Sequence, residues 1–225
     1  MKRRIATTTW FCAVALAVGL VGTAEARRSN PPPGRNGSTA SGGATCGDCH
    51  GDATGPGSVE ILGVPAAYAS GIVYDLTVRV QDDDQFGAGF QLSAEDPSGK
   101  PIGSFMTVDA TTQLNGGWIN HTGTGVSTST ADWSALGNAA EFALRWQAPD
   151  ADVGPVRFWV VGNAVDNNGA FTGDVVYLSD ETIDAAPENV PTVSEWGLIV
   201  LTLLLVTAGT LVMHRPAAVC GKPTQ

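Results

Sequence analysis

Alternation of apolar and polar side chains is the strongest signal in the middle of the chain. In Ile72-Val73-Tyr74-Asp75-Leu76-Thr77-Val78-Arg79-Val80 the apolar residues Ile72, Tyr74, Leu76, Val78 and Val80 recur at every second position, and polar residues fill most of the positions between. Period two sends successive side chains to opposite faces, so this pattern predicts a strand buried on one side. Residues 142–146 and 156–160 repeat it, and residues 89–94 and 175–178 are further strand candidates. Turn formers stand between them: Asp96-Pro97-Ser98-Gly99, Asn115-Gly116-Gly117, Pro149-Asp150 and Asn167-Asn168-Gly169. Asn-Gly favours hairpin corners because both residues tolerate positive φ. About seven or eight short strands with no convincing amphipathic helix, spread over 58–179, predict an all-β fold, a single β-sandwich. A stretch of about 120 residues suffices for one such core and is too short for two.

The two ends carry a different pattern, unbroken apolar runs. Met1-Lys2-Arg3-Arg4 is a basic start, an apolar run covers about 10–21, and Ala24-Glu25-Ala26 has the small-x-small form of a cleavage site. This is the layout of a secretory signal peptide, expected over 1–26. Cys12 would leave with it. The second run, 197–213, contains no charged residue, and threonine is its only polar residue type. A core helix of that length normally shows a polar face, so the expectation here is a membrane helix at the short end of the spanning range. Only Arg215 and Lys222 follow it, and Cys220 lies beyond the expected span.

Composition sharpens two points. The net charge is −10, and removing the signal takes Lys+Arg from 12 to 9 and Asp+Glu from 22 to 21, for −12. A surface this acidic repels phosphates and offers no basic patch, which excludes nucleic acid as a partner. Residues 27–45 are rich in Pro, Gly and Ser with almost no apolar side chain, and this composition predicts a flexible arm. Asn36-Gly37-Ser38 and Asn120-His121-Thr122 have the form of glycosylation sequons, and neither is read as modified. The acidic run Asp82-Asp83-Asp84 fits no standard calcium-loop spacing and reads as a solvated turn.

One motif carries chemistry: Cys46-Gly47-Asp48-Cys49-His50. Two cysteines at this spacing can each add to a haem vinyl group, and the histidine that follows can bind the iron from one side. The expected cofactor is one covalent haem c, held by Cys46, Cys49 and His50. Three other uses compete: a small disulfide in an oxidising compartment, a redox-active Cys-x-x-Cys without the usual βαβ context, or zinc without a second ligand pair nearby. His121 is the first candidate for a sixth iron ligand and Met106 the second, with an open or water-bound position as a third option. A second histidine would give a low potential, and a methionine a higher one. Trp118, Trp133, Trp146 and Trp159 read mainly as sandwich core. No nucleophile elbow and no His-Glu-x-x-His stretch is present, so no hydrolytic activity is expected, and an electron carrier is favoured over a catalyst.

Two resemblances add to this reading. Val190-Pro191-Thr192-Val193-Ser194-Glu195-Trp196-Gly197, with the apolar run behind it, resembles the IPTL-CTERM sorting signal of Gram-negative bacteria. Where that family ends in an Arg-rich cluster, this chain has His214-Arg215-Pro216. The resemblance implies recognition by a membrane sorting enzyme and a place in the cell envelope, either anchored in the inner membrane facing the periplasm or passed to the surface. Upstream, Thr45-Cys46-Gly47-Asp48-Cys49-His50-Gly51 is followed by Tyr74-Asp75-Leu76-Thr77-Val78, then Phe86-Gly87-Ala88-Gly89-Phe90-Gln91-Leu92 and Ile119-Asn120-His121-Thr122. Trp146-Gln147-Ala148-Pro149, Gly154-Pro155-Val156-Arg157-Phe158-Trp159 and Gly173-Asp174-Val175-Val176-Tyr177 complete the order. Over about 44–180 this order resembles the choice-of-anchor V domain, which implies a Reeler-like β-sandwich with the Cys-x-x-Cys-His at its entrance. The expected division is a signal peptide (1–26), an arm (27–45), the motif with the sandwich (46–182), a linker (183–189), the sorting signal with its helix (190–215) and a short tail (216–225). The expected function is an envelope-anchored monohaem protein that passes electrons to a partner protein or senses a ligand. The alternative is a non-catalytic surface or adhesion module with the two cysteines bridged.

Overall fold

The computed structural model describes residues 28–51, 54–187 and 193–213. The expected signal peptide and the tail after 213, with Cys12 and Cys220, lie outside the described residues. The elements in chain order are α1 (Gly47–His50), β1 (Ser58–Leu62), β2 (Ala67–Tyr68), β3 (Val73–Gln81), β4 (Gly87–Glu95), β5 (Ser104–Thr107), β6 (Thr112–Asn115), β7 (Trp118–His121), α2 (Gly123–Asp132), β8 (Ala139–Gln147), β9 (Val156–Val165), β10 (Val175–Ala185) and α3 (Val193–Met213). The chain divides into two units, 1–185 and 186–225.

The first unit is a sandwich. One sheet has the strand order β1-β3-β8-β5 and the other β2-β10-β9-β4-β7-β6. All pairings are antiparallel except that of β10 with β2. The alternation read at 72–80 appears as buried Leu76, Val78 and Val80, with Ile72 outside the strand and exposed. These residues face Phe90, Leu92, Phe158 and Val160 of the other sheet in one core cluster. Aromatic rings join the layers: Phe90 lies 4.7 Å from Phe142, and Trp146 meets Phe158 edge-on at 4.9 Å. Gly162 lets the sheets close here, because a Cβ on it would fall 2.8 Å from Val80 Cγ2. Each large apolar side chain withdrawn from water contributes about 1.5–3 kcal/mol, so this layer accounts for most of what holds the sandwich together.

Three features depart from the sequence reading. The sandwich has ten strands, because β1, β2, β5, β6 and β7 are short and lie at or near sheet edges, where alternation leaves little trace. Second, α2 exists although its sequence, Gly-Thr-Gly-Val-Ser-Thr-Ser-Thr-Ala-Asp, has no apolar stripe. The Thr122 hydroxyl caps it by accepting from Gly125 N–H, and buried Ser129 bonds to both backbone groups of Ala88, so tertiary contacts make this helix.

The third departure is the segment expected to be a loose arm. Residues 28–45 lie as a strap on the outer face of the six-stranded sheet. Asn36 is fully buried, donating its amide to Ser93 Oγ and to the Trp159 carbonyl. Gln91 accepts from Arg35 N–H and donates to the Pro32 carbonyl, and the Glu95 carboxylate accepts from Ala40 N–H. The strap has few apolar side chains because polar groups of the sheet hold it. The burial of Asn36 and Asn120 also takes both sequon amides out of solvent. Asp82 departs in the same sense: it is buried and accepts from Tyr177 Oη, so the acidic run is anchored at its first residue.

The second unit holds α3, whose described side chains from Glu195 to Leu211 are exposed. The hydroxyls of Thr202, Thr207 and Thr210 donate back to helix carbonyls, leaving an apolar exterior. Among the described residues no helix is long and apolar enough to cross a membrane. The expectation of a spanning helix over 197–213 is corrected to this extent: the helix forms, but Glu195 stands in its first turn. The apolar run rises only about 25 Å, against a hydrocarbon core of about 30 Å. The linker also starts later than expected, since β10 continues to Ala185.

Candidate functional site

The motif cysteines and histidine sit on one helical turn. Cys46 is the N-cap of α1, and its carbonyl accepts from the N–H groups of Cys49 and His50. Three positions apart on a helical turn, the two thiols share a side of it. Both are free, Cys49 exposed and Cys46 half-buried. Burial, and then the neighbouring Cys49, push the Cys46 thiol up to about 12, so it is protonated at neutral pH. The turn is tied to the strap by an ion pair of Arg35 with Asp48 at 2.5 Å.

The turn closes one side of a cleft of about 830 Å³ on the outer face of the six-stranded sheet. Cofactor and ligand sites typically measure about 300–1,000 Å³. Gly89 of β4 and Asn163 of β9, directly paired in the sheet, contribute to its floor. Apolar lining comes from Val126 of α2, Val165 of β9, and Ala170 and Phe171 of the β9–β10 loop. Cys46, Cys49, His50 and His121 all line it, and Met106 does not. Met106 is on β5 in the opposite sheet, paired with Arg145, and this placement removes it as a candidate ligand of the same site. None of the four tryptophans of the β region lines the cleft.

His50 is held by its Nδ1, which lies 2.5 Å from Oδ2 of Asp174, a buried carboxylate that also accepts from Asp166 N–H. A carboxylate at that distance assigns a proton to Nδ1. This is how metal-binding histidines are oriented: the second nitrogen donates to a carboxylate or carbonyl. Phe171 fixes the ring plane edge-on, with centroids 5.0 Å apart. Asn163 Nδ2 lies 3.2 Å from the same Nδ1, while its buried Oδ1 has no partner. Exchanging the amide oxygen and nitrogen would turn Oδ1 toward Nδ1–H.

His121 ends β7, just past the point where the β4–β7 ladder stops at Gln91 and Asn120. Its ring takes the next place in the ladder. Nδ1 lies 2.9 Å from the Phe90 nitrogen and 3.1 Å from the Phe90 oxygen. The Phe90 N–H donates to Nδ1 at the shorter distance, which places the imidazole proton on Nε2; donation from Nδ1–H to the Phe90 carbonyl instead would leave the lone pair on Nε2. The ring fits only because residue 89 is glycine, since a Cβ there would fall 2.4 Å from the imidazole Cε1. Burial is the main cause that holds His121 down to about 4; the bond to Phe90 opposes it, and nearby His50 adds to the lowering. The imidazole is therefore neutral at physiological pH.

The site thus brings together four of the five candidate residues. Asp174, Asn163, Gly89 and Phe171 were not singled out in the sequence for any role here. Asp174 is 124 residues from His50, and nothing in a single chain links them. Gly173-Asp174 was visible only as part of a family pattern. Among the described residues, no group of three or more His, Cys, Asp and Glu side chains is arranged to hold a bare metal ion.

No curated protein matches this chain. Among solved structures, the reeler domain of human F-spondin aligns at 17% identity over 60% of this chain and 92% of that one, with a TM-score of 0.40. A structure of the Reelin-N domain of F-spondin aligns at 18% over 60% and 90%, also at 0.40. A structure of AvmM, described as catalysing macrocyclization in alchivemycin A biosynthesis, aligns at 10% over 61% and 92%, with a TM-score of 0.38. Residues 190–215 match the IPTL-CTERM motif, and this sorting signal marks the chain as an exported, surface-sorted protein.

Proposed function

We propose that this exported protein carries one covalent haem c in the outer-sheet cleft and serves electron transfer in the cell envelope. The observation that carries the reading is the Cys46-x-x-Cys49-His50 turn opening on the cleft that also holds His121, with His50 Nδ1 committed to Asp174 and its Nε2 left as a ligand. The residues present fit the group. Cys46 and Cys49 would form the thioethers, and His50 and His121, the latter neutral and accommodated by Gly89, would hold the iron. Haem bound there would supply a one-electron iron couple, which two histidine ligands would set at low potential. Asp174 fixes the His50 ring, and the apolar lining would limit water around the group. Two protein ligands on the iron would favour electron exchange with a partner protein over ligand sensing. The C-terminal signal delivers the domain to a sorting enzyme of the Gram-negative envelope.

The test is a pyridine haemochrome spectrum with intact mass on the full chain, exported in a host with c-type maturation. A c-type spectrum and one haem mass that survives denaturation are expected. A colourless chain with no added mass would sink the reading. The second reading is a non-catalytic surface module, favoured by the sorting motif and sandwich alone. A mass two hydrogens lower, from a Cys46–Cys49 bridge, would identify it.

A further inference from the structure

The charge around the cleft differs from that of the rest of the chain. The whole sequence carries −10, yet the charged side chains lining the cleft, besides its histidines, are Arg28, Arg35 and Asp174. Among the described residues Asp174 is the only carboxylate there and is already engaged by His50. The described arginines elsewhere are matched to acids: Arg79 to Glu141, Arg145 to Asp75 and Arg157 to Asp180. Arg28 differs. Its guanidinium contacts the Ser127 hydroxyl at 3.1 Å, and among the described residues it makes no ion pair. Arg35 shares Asp48 through one nitrogen, Nη1, and guanidinium has further donors. Both arginines come from the strap, so their approach to the cleft depends on its docking onto Gln91, Ser93 and Glu95.

Two guanidinium groups bordering an apolar cleft in an acidic protein call for an anionic group on the occupant, since arginine pairs with carboxylates in charge-assisted, often bidentate bonds. The geometry points to Arg28 and Arg35 as the seat of the occupant's carboxylates, so that the cleft selects a flat apolar ligand with an acidic edge. This assignment rests on the haem reading, in which that edge is the pair of propionates. The strap then acts as the cofactor's charge partner as well as a cover for the sheet. Arg28 contributes more, because among the described residues no carboxylate competes for it.

The test separates this inference from the reading beneath it. The full chain, produced without c-type maturation and kept reduced, is titrated with iron(III) protoporphyrin IX and with its dimethyl ester, which has the same ring and no carboxylates. The diacid is expected to bind about tenfold or more tighter than the ester, since only its carboxylates can form charge-assisted bonds to the arginines. Arg28→Gln alone should remove most of that preference, and Arg28→Gln with Arg35→Gln nearly all of it, with ester affinity unchanged. Arg28 makes one hydroxyl contact, so its variant tests the idea without loosening Asp48. Equal affinity for the two porphyrins, or a preference that survives both substitutions, would overturn the assignment and leave haem binding standing. Binding of neither porphyrin would overturn both.

Discussion

β4 is buried at all nine of its positions, but its two faces are buried by different means. The inner face, Ala88, Phe90, Leu92 and Ala94, is apolar and packs against the other sheet. The outer face, Gly87, Gly89, Gln91, Ser93 and Glu95, has no apolar side chain beyond the glycines, and it is closed by hydrogen bonds to the strap and by α2. The inner face is held by area, which tolerates substitutions that conserve volume. The outer face is held by specific partners, which tolerate little, and where Gly89 leaves space it opens into the cleft. One strand thus supplies stability on one side and a site on the other.

The largest effect should come from the inner face. Phe90→Ala removes a ring packed on Phe142 and should cost about 3–5 kcal/mol in chemical denaturation. The loss should be global, because both sheets lose the contact. Glu95→Ala removes the acceptor for Ala40 N–H and Ser93 Oγ and should cost about 1–3 kcal/mol. Its signature is local: amide exchange should rise over 36–44 and remain slow in β3 and β8. Uniform loss of protection across both sheets would show that the strap belongs to the same cooperative unit as the core. Gly89→Ala should cost about 1–3 kcal/mol through overpacking of the His121 ring. In the haem-loaded chain it should change the low-spin spectrum by displacing the second ligand, and an unchanged spectrum would remove His121 from that role.

The smallest expected effect lies outside both faces, in the turn after β4. Asp96 is held below its ordinary value of 3.8, first by the Ser98 hydroxyl and then by Lys100 N–H. A carboxylate lowered on folding favours the folded chain above its unfolded pKa, and that contribution fades as pH falls below about 4. An NMR titration should show Asp96 titrating below an unperturbed aspartate, and Ser98→Ala should raise it.

The inner face was legible in the sequence because period two is a property of each strand alone, and Leu76, Val78 and Val80 show it without knowledge of the partner sheet. The outer face was not. The strap reads as Pro/Gly/Ser filler because its own side chains bury little; Gln91, Ser93 and Glu95 read simply as the polar half of an alternation. α2 was invisible for the same reason, since Ser129 and the Thr122 cap act through tertiary hydrogen bonds. The cysteines and His50 were legible as a contiguous motif and His121 as a rare residue type. Asp174 and Gly89 acquire meaning only when β4, β7 and β9 lie side by side, and the same arrangement takes Met106 out of the site.

The position of the strap along the chain has a temporal consequence. An exported chain crosses its membrane from the amino end, so Cys46, Cys49 and His50 arrive before any strand of the sandwich. The surface they dock on needs β9, which ends at Val165, more than a hundred residues later. At about 5–20 residues per second of synthesis, the motif spends several seconds on the far side with no sheet to cover it. Any enzyme that works on these cysteines meets an open chain first, and the arrival of β9 ends its opportunity.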